Sequence, residues 1–323
     1  MIPPDIQPSH PIDFPDDEVR EKLLELLGLT EVPAAVDFTS EALEESQEGI
    51  RSQTISYANS LGETVPGILM TPLDRAADAI PGVVCVSGTG GSAQRVAEHF
   101  YRSEDGTLIG WGRELARRGF CTLAISAKGT LERRASIDDW AMEMKLLAPY
   151  GRSQMGVLAE ETLMAARVLQ SVSGVDTDRI GLTGMSLGGN AAWYAMACAP
   201  WIAAGVAVCG GVGSLAESIH HGDPHRHSAY FYVPHMLRYF DHARVVAQCM
   251  PPRPFLMISP TRDEDMPRSG VEALRPVVAS AYEACGHADR FSVRQPDGNH
   301  QFREEYFEWM AAWFERFLIR KPE

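Results

Sequence analysis

The feature that most constrains this chain is a serine held in a glycine-rich turn, Gly184–Gly189, which reads GMSLGG. A short apolar run, residues 180–183, precedes the turn, and a stretch of small side chains with helical character, residues 190–199, follows it. A serine in so tight a turn takes strained backbone angles, and glycines two positions away on either side let a strand and a helix pass without Cβ clashes. The pattern is typical of a nucleophile elbow, which holds the hydroxyl of Ser186 clear of the sheet.

Short apolar runs alternate with segments of helical periodicity along most of the chain. An antiparallel hairpin is predicted first, over Arg51–Tyr57 and Val65–Met70. The later strands are predicted at residues 82–86, 120–125, 178–183, 202–209, 253–259 and 291–295. Helices are predicted at residues 108–118, 155–172, 190–199, 270–285 and 302–319. This order predicts an α/β fold, with a mostly parallel central sheet and helices on both of its faces.

Two segments stand apart from this alternation. Residues 1–48 are expected to form an N-terminal arm and helix, with the helix over Asp16–Leu27 and a solvated turn or short helix in the acidic stretch 41–48. The arm is expected to pack on the domain or on a partner subunit, so a homodimer is left open. Residues 49–323 are predicted to form one domain, interrupted by a lid-like insertion at about 210–240.

The insertion carries closely spaced histidines between His220 and His227, and the sequence leaves their role open. Imidazoles and a carboxylate are suitable metal ligands, but the spacing of this cluster fits no helical pair four residues apart. A polar loop near the substrate pocket is the favoured interpretation, and no metal is expected.

The composition excludes several classes of partner. The chain has 323 residues and a formal charge of −14, so the clustered basic surface needed for nucleic acid or an anionic membrane is not expected. No apolar run approaches the roughly 20 residues of a membrane span, and the first residues lack the features of a signal peptide. The six cysteines are spread singly, which indicates reduced thiols rather than disulfides or a zinc site. We therefore expect a cytoplasmic protein.

A base and an acid that could activate the serine follow it in the chain. In folds with this elbow the partners come in the order serine, acid, histidine, each just after the end of a strand. His300 follows the strand predicted at 291–295 and a glycine-containing turn, so it is the candidate base. The loop after the strand 255–259 holds Asp263, Glu264 and Asp265, among which Asp263 is favoured as the acid and Asp265 is the alternative.

An oxyanion in the reaction needs two N–H donors. Leu187, directly after the serine, supplies one, and the glycine-rich loop 87–92 supplies the other, with Thr89 as the candidate donor. The spacing of this loop matches neither the Walker nor the dinucleotide pattern, so a phosphate site is not favoured. The candidate lining of the substrate pocket is Gly88, Met185, Tyr230 and Tyr232.

Taken together, these motifs resemble the α/β-hydrolase family, and most closely its dienelactone-hydrolase-like and acetyl-xylan-esterase-like branch. The resemblance covers about residues 50–320. It is carried by the segment 84–92, the elbow, the aromatic stretch 230–239, the segment 251–255, Asp263 with Pro267, and Asn299-His300. It implies that Ser186, Asp263 and His300 form a catalytic triad, and that Thr89 and Leu187 form the oxyanion hole.

The chain also departs from the family pattern. Ser87 stands where a histidine is usual, and Ser126 stands where an aspartate is frequent. Dienelactone hydrolases proper use a cysteine nucleophile, so the serine favours ester hydrolysis. We expect a carboxylesterase or acetylesterase that cleaves a small-molecule ester through an acyl-enzyme, with neither a metal nor an organic cofactor. An acyltransferase or peptidase on the same triad and a non-catalytic binding protein on this fold are the alternatives.

Overall fold

The computed structural model describes residues 14–29, 32–42, 49–73, 79–133, 137–223, 225 and 227–319, without the side chains of residues 137–140. In chain order its strands are β1 (Phe38–Ala42), β2 (Ile50–Ala58), β3 (Thr64–Pro72), β4 (Ile80–Val86), β5 (Tyr101–Arg102), β6 (Leu108–Ile109), β7 (Cys121–Ile125), β8 (Val175–Met185), β9 (Ala204–Val208), β10 (Phe255–Ile258) and β11 (Phe291–Arg294). Strands β5 and β6 form a small hairpin of their own, and the other nine form one sheet.

The sheet is parallel over most of its width, as the sequence predicts. Its strand order is β1-β2-β3-β7-β4-β8-β9-β10-β11. The pairs from β7 through β11 are parallel, whereas β1, β2 and β3 pair antiparallel with their neighbours. The predicted hairpin is confirmed as β2 and β3, with Thr54 opposite Ile68. Strands β7, β9 and β10 are buried along their whole length, which explains their continuous apolar sequences.

Helices cover both faces of the sheet. In chain order they are α1 (Val19–Leu27), α2 (Ala93–Ala97), α3 (Trp111–Arg117), α4 (Ile137–Leu147), α5 (Gln154–Ser171), α6 (Leu187–Cys198), α7 (Leu215–His221), α8 (Met236–Tyr239), α9 (His242–Cys249), α10 (Arg268–Ala284) and α11 (Glu304–Leu318). Strand β4 shows how the two faces separate. Val84 and Val86 pack in the core with α5 and α6, while Val83 and Cys85 pack in a second core with α3 and α11. Alternate side chains of a strand point to opposite faces, so each face has its own hydrophobic core.

Several boundaries differ from the sequence prediction, and three of the differences change the type of an element or its position at the serine. Leu108 and Ile109 form strand β6 rather than the start of a helix, because Gly110 then turns the chain with φ 73° and lies against the carbonyl of His99. Helix α6 begins at Leu187, directly after the serine and earlier than the predicted 190. Glu41 and Ala42, predicted in a turn or short helix, complete strand β1, and residues 43–48 lie outside the described residues.

The described part of the N-terminal arm packs on the domain through α1. Val19, Leu23 and Leu27 on one face of this helix are buried, and the helix contacts α5, α6 and α9. Arg20 donates hydrogen bonds to the carbonyls of Ala197 and Cys249, at 3.1 and 2.8 Å. These bonds satisfy carbonyl groups in the last turns of α6 and α9, which have no hydrogen-bond donor within their own helices. A homodimer through the arm stays a prediction.

The insertion at 210–240 contains helices α7 and α8 and a short 3₁₀ turn, Ala229–Phe231. Phe231 and Phe240 are buried in the core, so this segment is anchored by packing. His220 and His221 lie at the exposed end of α7, and Pro224 and Arg226 fall outside the described residues. Among the helices that the structure describes, none combines the length and apolarity that a membrane span requires.

Candidate active site

The serine turn has the backbone geometry that its sequence predicts. Strand β8 ends at Met185 and helix α6 begins at Leu187, which leaves Ser186 between them with φ 56° and ψ −120°. A positive φ is costly for a residue with a side chain and persists only where neighbouring bonds impose it. The N–H of Ser186 donates to the carbonyl of Val208 at 2.9 Å, and its carbonyl accepts from the N–H of Asn190 at 2.9 Å. The sheet and the helix therefore both hold the serine in place.

The glycines around the serine are required by close backbone contacts. A Cβ on Gly184 would lie 2.3 Å from the carbonyl carbon of Gly188, and a Cβ on Gly188 would lie 2.0 Å from the carbonyl oxygen of Val86. Both distances are far below van der Waals contact, so the helix lies against strands β8 and β4 only because these positions lack side chains.

Replacing Gly188 tests whether this contact holds the turn. We expect Gly188→Ala to lower the free energy of unfolding by about 3 kcal/mol, because the methyl group overlaps backbone that cannot move aside. The measurement is urea denaturation followed by circular dichroism. Gly90→Ala is the matched control, since a Cβ there meets nothing within 4 Å. Equal stability of the two variants would contradict this account of the turn.

The structure brings Ser186, His300 and Asp263 into one line of hydrogen bonds. Nε2 of His300 lies 2.8 Å from Oγ of Ser186, and Nδ1 of the same ring lies 2.8 Å from Oδ1 of Asp263. The Asp263 side chain is fully buried and the His300 side chain is 12% exposed. A carboxylate without water around it holds the ring by a strong, charge-assisted hydrogen bond. The arrangement can move a proton from the serine hydroxyl to the ring.

Two loops carry the histidine and the acid, and they are bonded to each other. Asp263 lies in the loop after β10 and His300 in the loop after β11. Between them, the N–H of Arg262 donates to the carbonyl of Gly298 at 2.9 Å, and its Nε donates to Oδ1 of Asn299 at 3.1 Å. These bonds extend the parallel pairing of β10 and β11 beyond the strands and fix the distance between ring and carboxylate.

The two candidate acids lie on opposite sides of the ring. Asp263 contacts Nδ1, the nitrogen remote from Ser186, whereas Oδ2 of Asp265 lies 3.3 Å from Nε2, the nitrogen that contacts the serine. An orienting acid belongs at the remote nitrogen, because it must leave the other free to accept a proton. The geometry therefore favours Asp263, as the sequence does, and gives Asp265 a separate position.

A cysteine that sequence reasoning treated only as a reduced thiol lies beside these groups. Cys209 directly follows strand β9 with φ 46°, and its Sγ, a carboxylate oxygen of Asp263 and a ring nitrogen of His300 all lie within 4.8 Å of one another. Burial raises the pKa of the Cys209 thiol well above its usual range, so the group stays protonated. Its place at the carboxyl end of a parallel strand, where site residues gather, was the available signal.

A cavity of about 330 Å³ opens over the serine. Gly88, Thr89 and Met185, which the sequence predicts at the site, line it together with Ser186 and His300. Sequence reasoning missed the other side of the cavity, because the hairpin of β5 and β6 folds over the site from a segment without a motif. The lining residues from this side are Asp105, Thr107, Leu108, Ile109, Trp111 and Phe302.

Tyr230 and Tyr232, predicted as pocket residues, are not in the lining of this cavity among the described residues. Tyr230 lies in the 3₁₀ turn and Tyr232 directly follows it, and this segment packs inward: Tyr230 is buried, and Phe231 stacks on His227 with ring centroids 3.7 Å apart. Tyr232 is half-buried at the edge of this aromatic group. Packing in the core therefore accounts for these aromatics better than contact with a ligand in the cavity does.

The glycine-rich loop lies against the nucleophile. A Cβ on Gly88 would be 3.2 Å from Cβ of Ser186, so the backbone of this loop approaches the serine directly. The loop is braced from behind, since Oγ of Ser126 accepts from the N–H of Ala93 at 2.8 Å and the carbonyl of Gly91 accepts from Leu131 at 3.1 Å. Ser126, which replaces a frequent aspartate, thus still supports the loop.

A serine between a buried parallel strand and a helix, in line with a histidine and a carboxylate after later strands, defines the α/β-hydrolase class, and this chain has that fold. Residues 73–232 match the sequence model of the dienelactone hydrolase family, and the chain is a hydrolase.

The chain is also similar to individual proteins over most of its length. YtaP of Bacillus subtilis (strain 168), which is named as a hydrolase, is 27% identical over 301 residues, which cover 92% of this chain and 99% of YtaP. The acetyl xylan esterase from Paenibacillus sp. R4 superposes with a TM-score of 0.67 at 19% identity, covering 97% of this chain and 98% of that one. The glucuronoyl esterase from Solibacter usitatus superposes with a TM-score of 0.67 at 14% identity, covering 92% and 91%. These structures share the fold.

Proposed function

We propose that this chain is a serine esterase that cleaves a carboxylic ester through an acyl-enzyme on Ser186. The observation that carries the proposal is the unbroken line of two 2.8 Å hydrogen bonds from Ser186 through His300 to Asp263. A serine hydroxyl reacts with an ester only when a base removes its proton during attack, and this line supplies the base and the group that orients it.

The first half of the reaction forms the acyl-enzyme. Oγ of Ser186 attacks the ester carbonyl while its proton passes to Nε2 of His300. Asp263 stabilises the positive ring, and the N–H groups of Thr89 and Leu187 receive the negative oxygen. Leu187 is the first residue of helix α6, where an N–H has no acceptor within the helix and the helix dipole favours negative charge. The intermediate then breaks its bond to the alcohol, which leaves with the proton from Nε2.

The second half repeats these steps with water in place of the serine. Nε2 of His300 takes a proton from the water as its oxygen attacks the acyl carbon, and the same two N–H groups receive the oxyanion. Collapse of this intermediate returns the proton to Oγ of Ser186 and releases the acid.

The substrate class follows from the cavity and the relatives. A cavity of about 330 Å³ beside Ser186 fits a small acyl group better than a long chain. The fold relatives described above are named as an acetyl xylan esterase and a glucuronoyl esterase. We therefore propose a small acyl ester, with a carbohydrate alcohol as the first substrate to try.

Covalent labelling tests the nucleophile directly. A fluorophosphonate probe is expected to react once per chain at Ser186, because only a serine paired with a base attacks such a probe readily. Intact-protein and peptide mass spectrometry would locate the adduct. His300→Ala should slow labelling by about 10³-fold or more. Ser87→Ala removes the other serine of the cavity and should leave the adduct in place. A folded chain that does not react, or reacts at another residue, would end the proposal.

A further inference from the structure

A second carboxylate faces the reacting nitrogen of His300, and the steps proposed above do not use it. Oδ2 of Asp265 lies 3.3 Å from Nε2, and the Asp265 side chain is only 8% exposed. Nε2 is also the atom that contacts Ser186, at 2.8 Å. The carboxylate is therefore next to the place where the serine, the leaving alcohol and the attacking water each meet the ring.

The backbone of Asp265 is held at both of its polar groups. Its N–H donates to Oδ1 of Asp263 at 2.9 Å, which ties the residue to the acid that orients the ring. Its carbonyl accepts a hydrogen bond from Nε2 of His227. Burial lowers the pKa of His227 below its usual range, and the ring stacks on Phe231, so His227 is a neutral and fixed donor. This support is what a group with a defined position in the reaction requires.

We propose that Asp265 is a catalytic residue for the second half of the reaction, where it positions the attacking water. The inference rests on the acyl-enzyme of the proposed function. Water has two O–H groups: one must point to Nε2, and the other can point to Oδ2 of Asp265. For a water about 2.8 Å from both atoms, the directions to the two atoms are about 70° apart, so each O–H···acceptor angle is about 155°.

The atoms of this step balance without any further reactant. The water oxygen forms a bond to the acyl carbon, one of its protons moves to Nε2 of His300, and the other stays on the oxygen while hydrogen-bonded to Asp265. The bond from the acyl carbon to Oγ of Ser186 then breaks, and Oγ recovers the proton from Nε2. The product acid leaves with the second water proton and loses it to solvent.

In this role Asp265 favours water over an alcohol as the molecule that receives the acyl group. An alcohol has a single O–H, so it can bond to Nε2 but brings an alkyl group toward the buried carboxylate. Water therefore gains a charge-assisted hydrogen bond that an alcohol lacks. The residue thus favours hydrolysis over acyl transfer, and it contributes little to the first half of the reaction.

The test measures how the acyl-enzyme divides between water and methanol. With p-nitrophenyl acetate and a fixed methanol concentration, the ratio of methyl acetate to acetate reports only the second half-reaction and does not depend on the amount of active protein. Asp265→Ala is expected to raise this ratio by about ten- to a hundredfold. It should also produce a burst of p-nitrophenol, because acylation keeps its rate while deacylation becomes the slower step.

The controls separate this role from a structural one. Glu264→Ala removes an exposed carboxylate from the same loop and should leave the ratio unchanged. Asp265→Asn keeps an acceptor oxygen and should give a smaller rise; it decides the question if Asp265→Ala does not fold. An unchanged ratio, with both half-reactions slowed equally, would overturn the role of Asp265. The proposed function fails separately, if a fluorophosphonate probe leaves Ser186 of the unmodified chain unlabelled.

Discussion

Ser186→Ala is expected to lower kcat/KM for an activated acetate ester by about 10⁴- to 10⁶-fold. The variant removes the atom that forms the acyl bond and leaves His300 with nothing to deprotonate except water. The residual rate should come from the oxyanion donors and from binding alone. Initial rates with p-nitrophenyl acetate, corrected for spontaneous hydrolysis, would measure the loss.

The backbone strain at this position provides a control for stability. Ser186 has φ 56°, which glycine adopts without strain and alanine does not. Ser186→Gly should therefore unfold at a higher temperature than Ser186→Ala, while both lose activity to the same extent. The hydroxyl would not be the nucleophile if the more stable of these two variants were also the more active. The same conclusion would hold if Ser186→Ala kept more than a few per cent of the activity of the unmodified chain.

The parts of the fold that sequence reasoning predicts are those governed by local patterns. Strands β4, β7 and β10 are buried on both faces, so each is a short apolar run that stands out from its surroundings. The serine turn is similarly local, because the clashes that require Gly184 and Gly188 arise between residues a few positions apart or in the adjacent strand. The parallel sheet and the elbow therefore follow from the sequence.

The parts that sequence reasoning misses depend on contacts between distant segments. Strand β6 is followed by Gly110, where a Cβ would lie 2.2 Å from the carbonyl oxygen of His99, and no pattern in residues 108–118 reveals that contact. Tyr230 and Tyr232 have the composition of a pocket wall, yet the stack of Phe231 on His227 turns their segment toward the core. Cys209 reaches the acid only because β9 and β10 are neighbours in the sheet.

The choice between Asp263 and Asp265 as the orienting acid also depends on a conformation that local sequence patterns do not reveal. Asp263 and Asp265 are two positions apart in one loop, so composition and order cannot distinguish them. The loop conformation does: the N–H of Asp265 donates back to Oδ1 of Asp263, and this turn sends the two carboxylates to different nitrogens of His300. Sequence reasoning identified the loop and favoured Asp263, and the geometry gives each of the two carboxylates a separate position.

Asp263→Ala is expected to lower kcat/KM by about 10⁴-fold, with the loss already present in acylation. Without the carboxylate, Nδ1 of His300 loses its acceptor, and the ring is neither held in the tautomer that receives the serine proton nor stabilised once it is charged. Stopped-flow experiments with the protein in excess over p-nitrophenyl acetate measure this step as the rate of p-nitrophenol release in a single turnover. Asp263→Asn should lower kcat/KM less, because an amide oxygen can still accept hydrogen bonds from Nδ1 of His300 and from the N–H of Asp265.

A comparison with Asp265→Ala then assigns both carboxylates in one experiment. Loss of the group at Nδ1 should slow acylation and deacylation together, since both transition states carry a positive ring. Loss of the group near Nε2 should slow chiefly the step in which water attacks. If Asp265→Ala instead reduced the single-turnover acylation rate more than Asp263→Ala did, the orienting acid would be Asp265, and the 2.8 Å contact at Nδ1 would not be the one that the reaction uses.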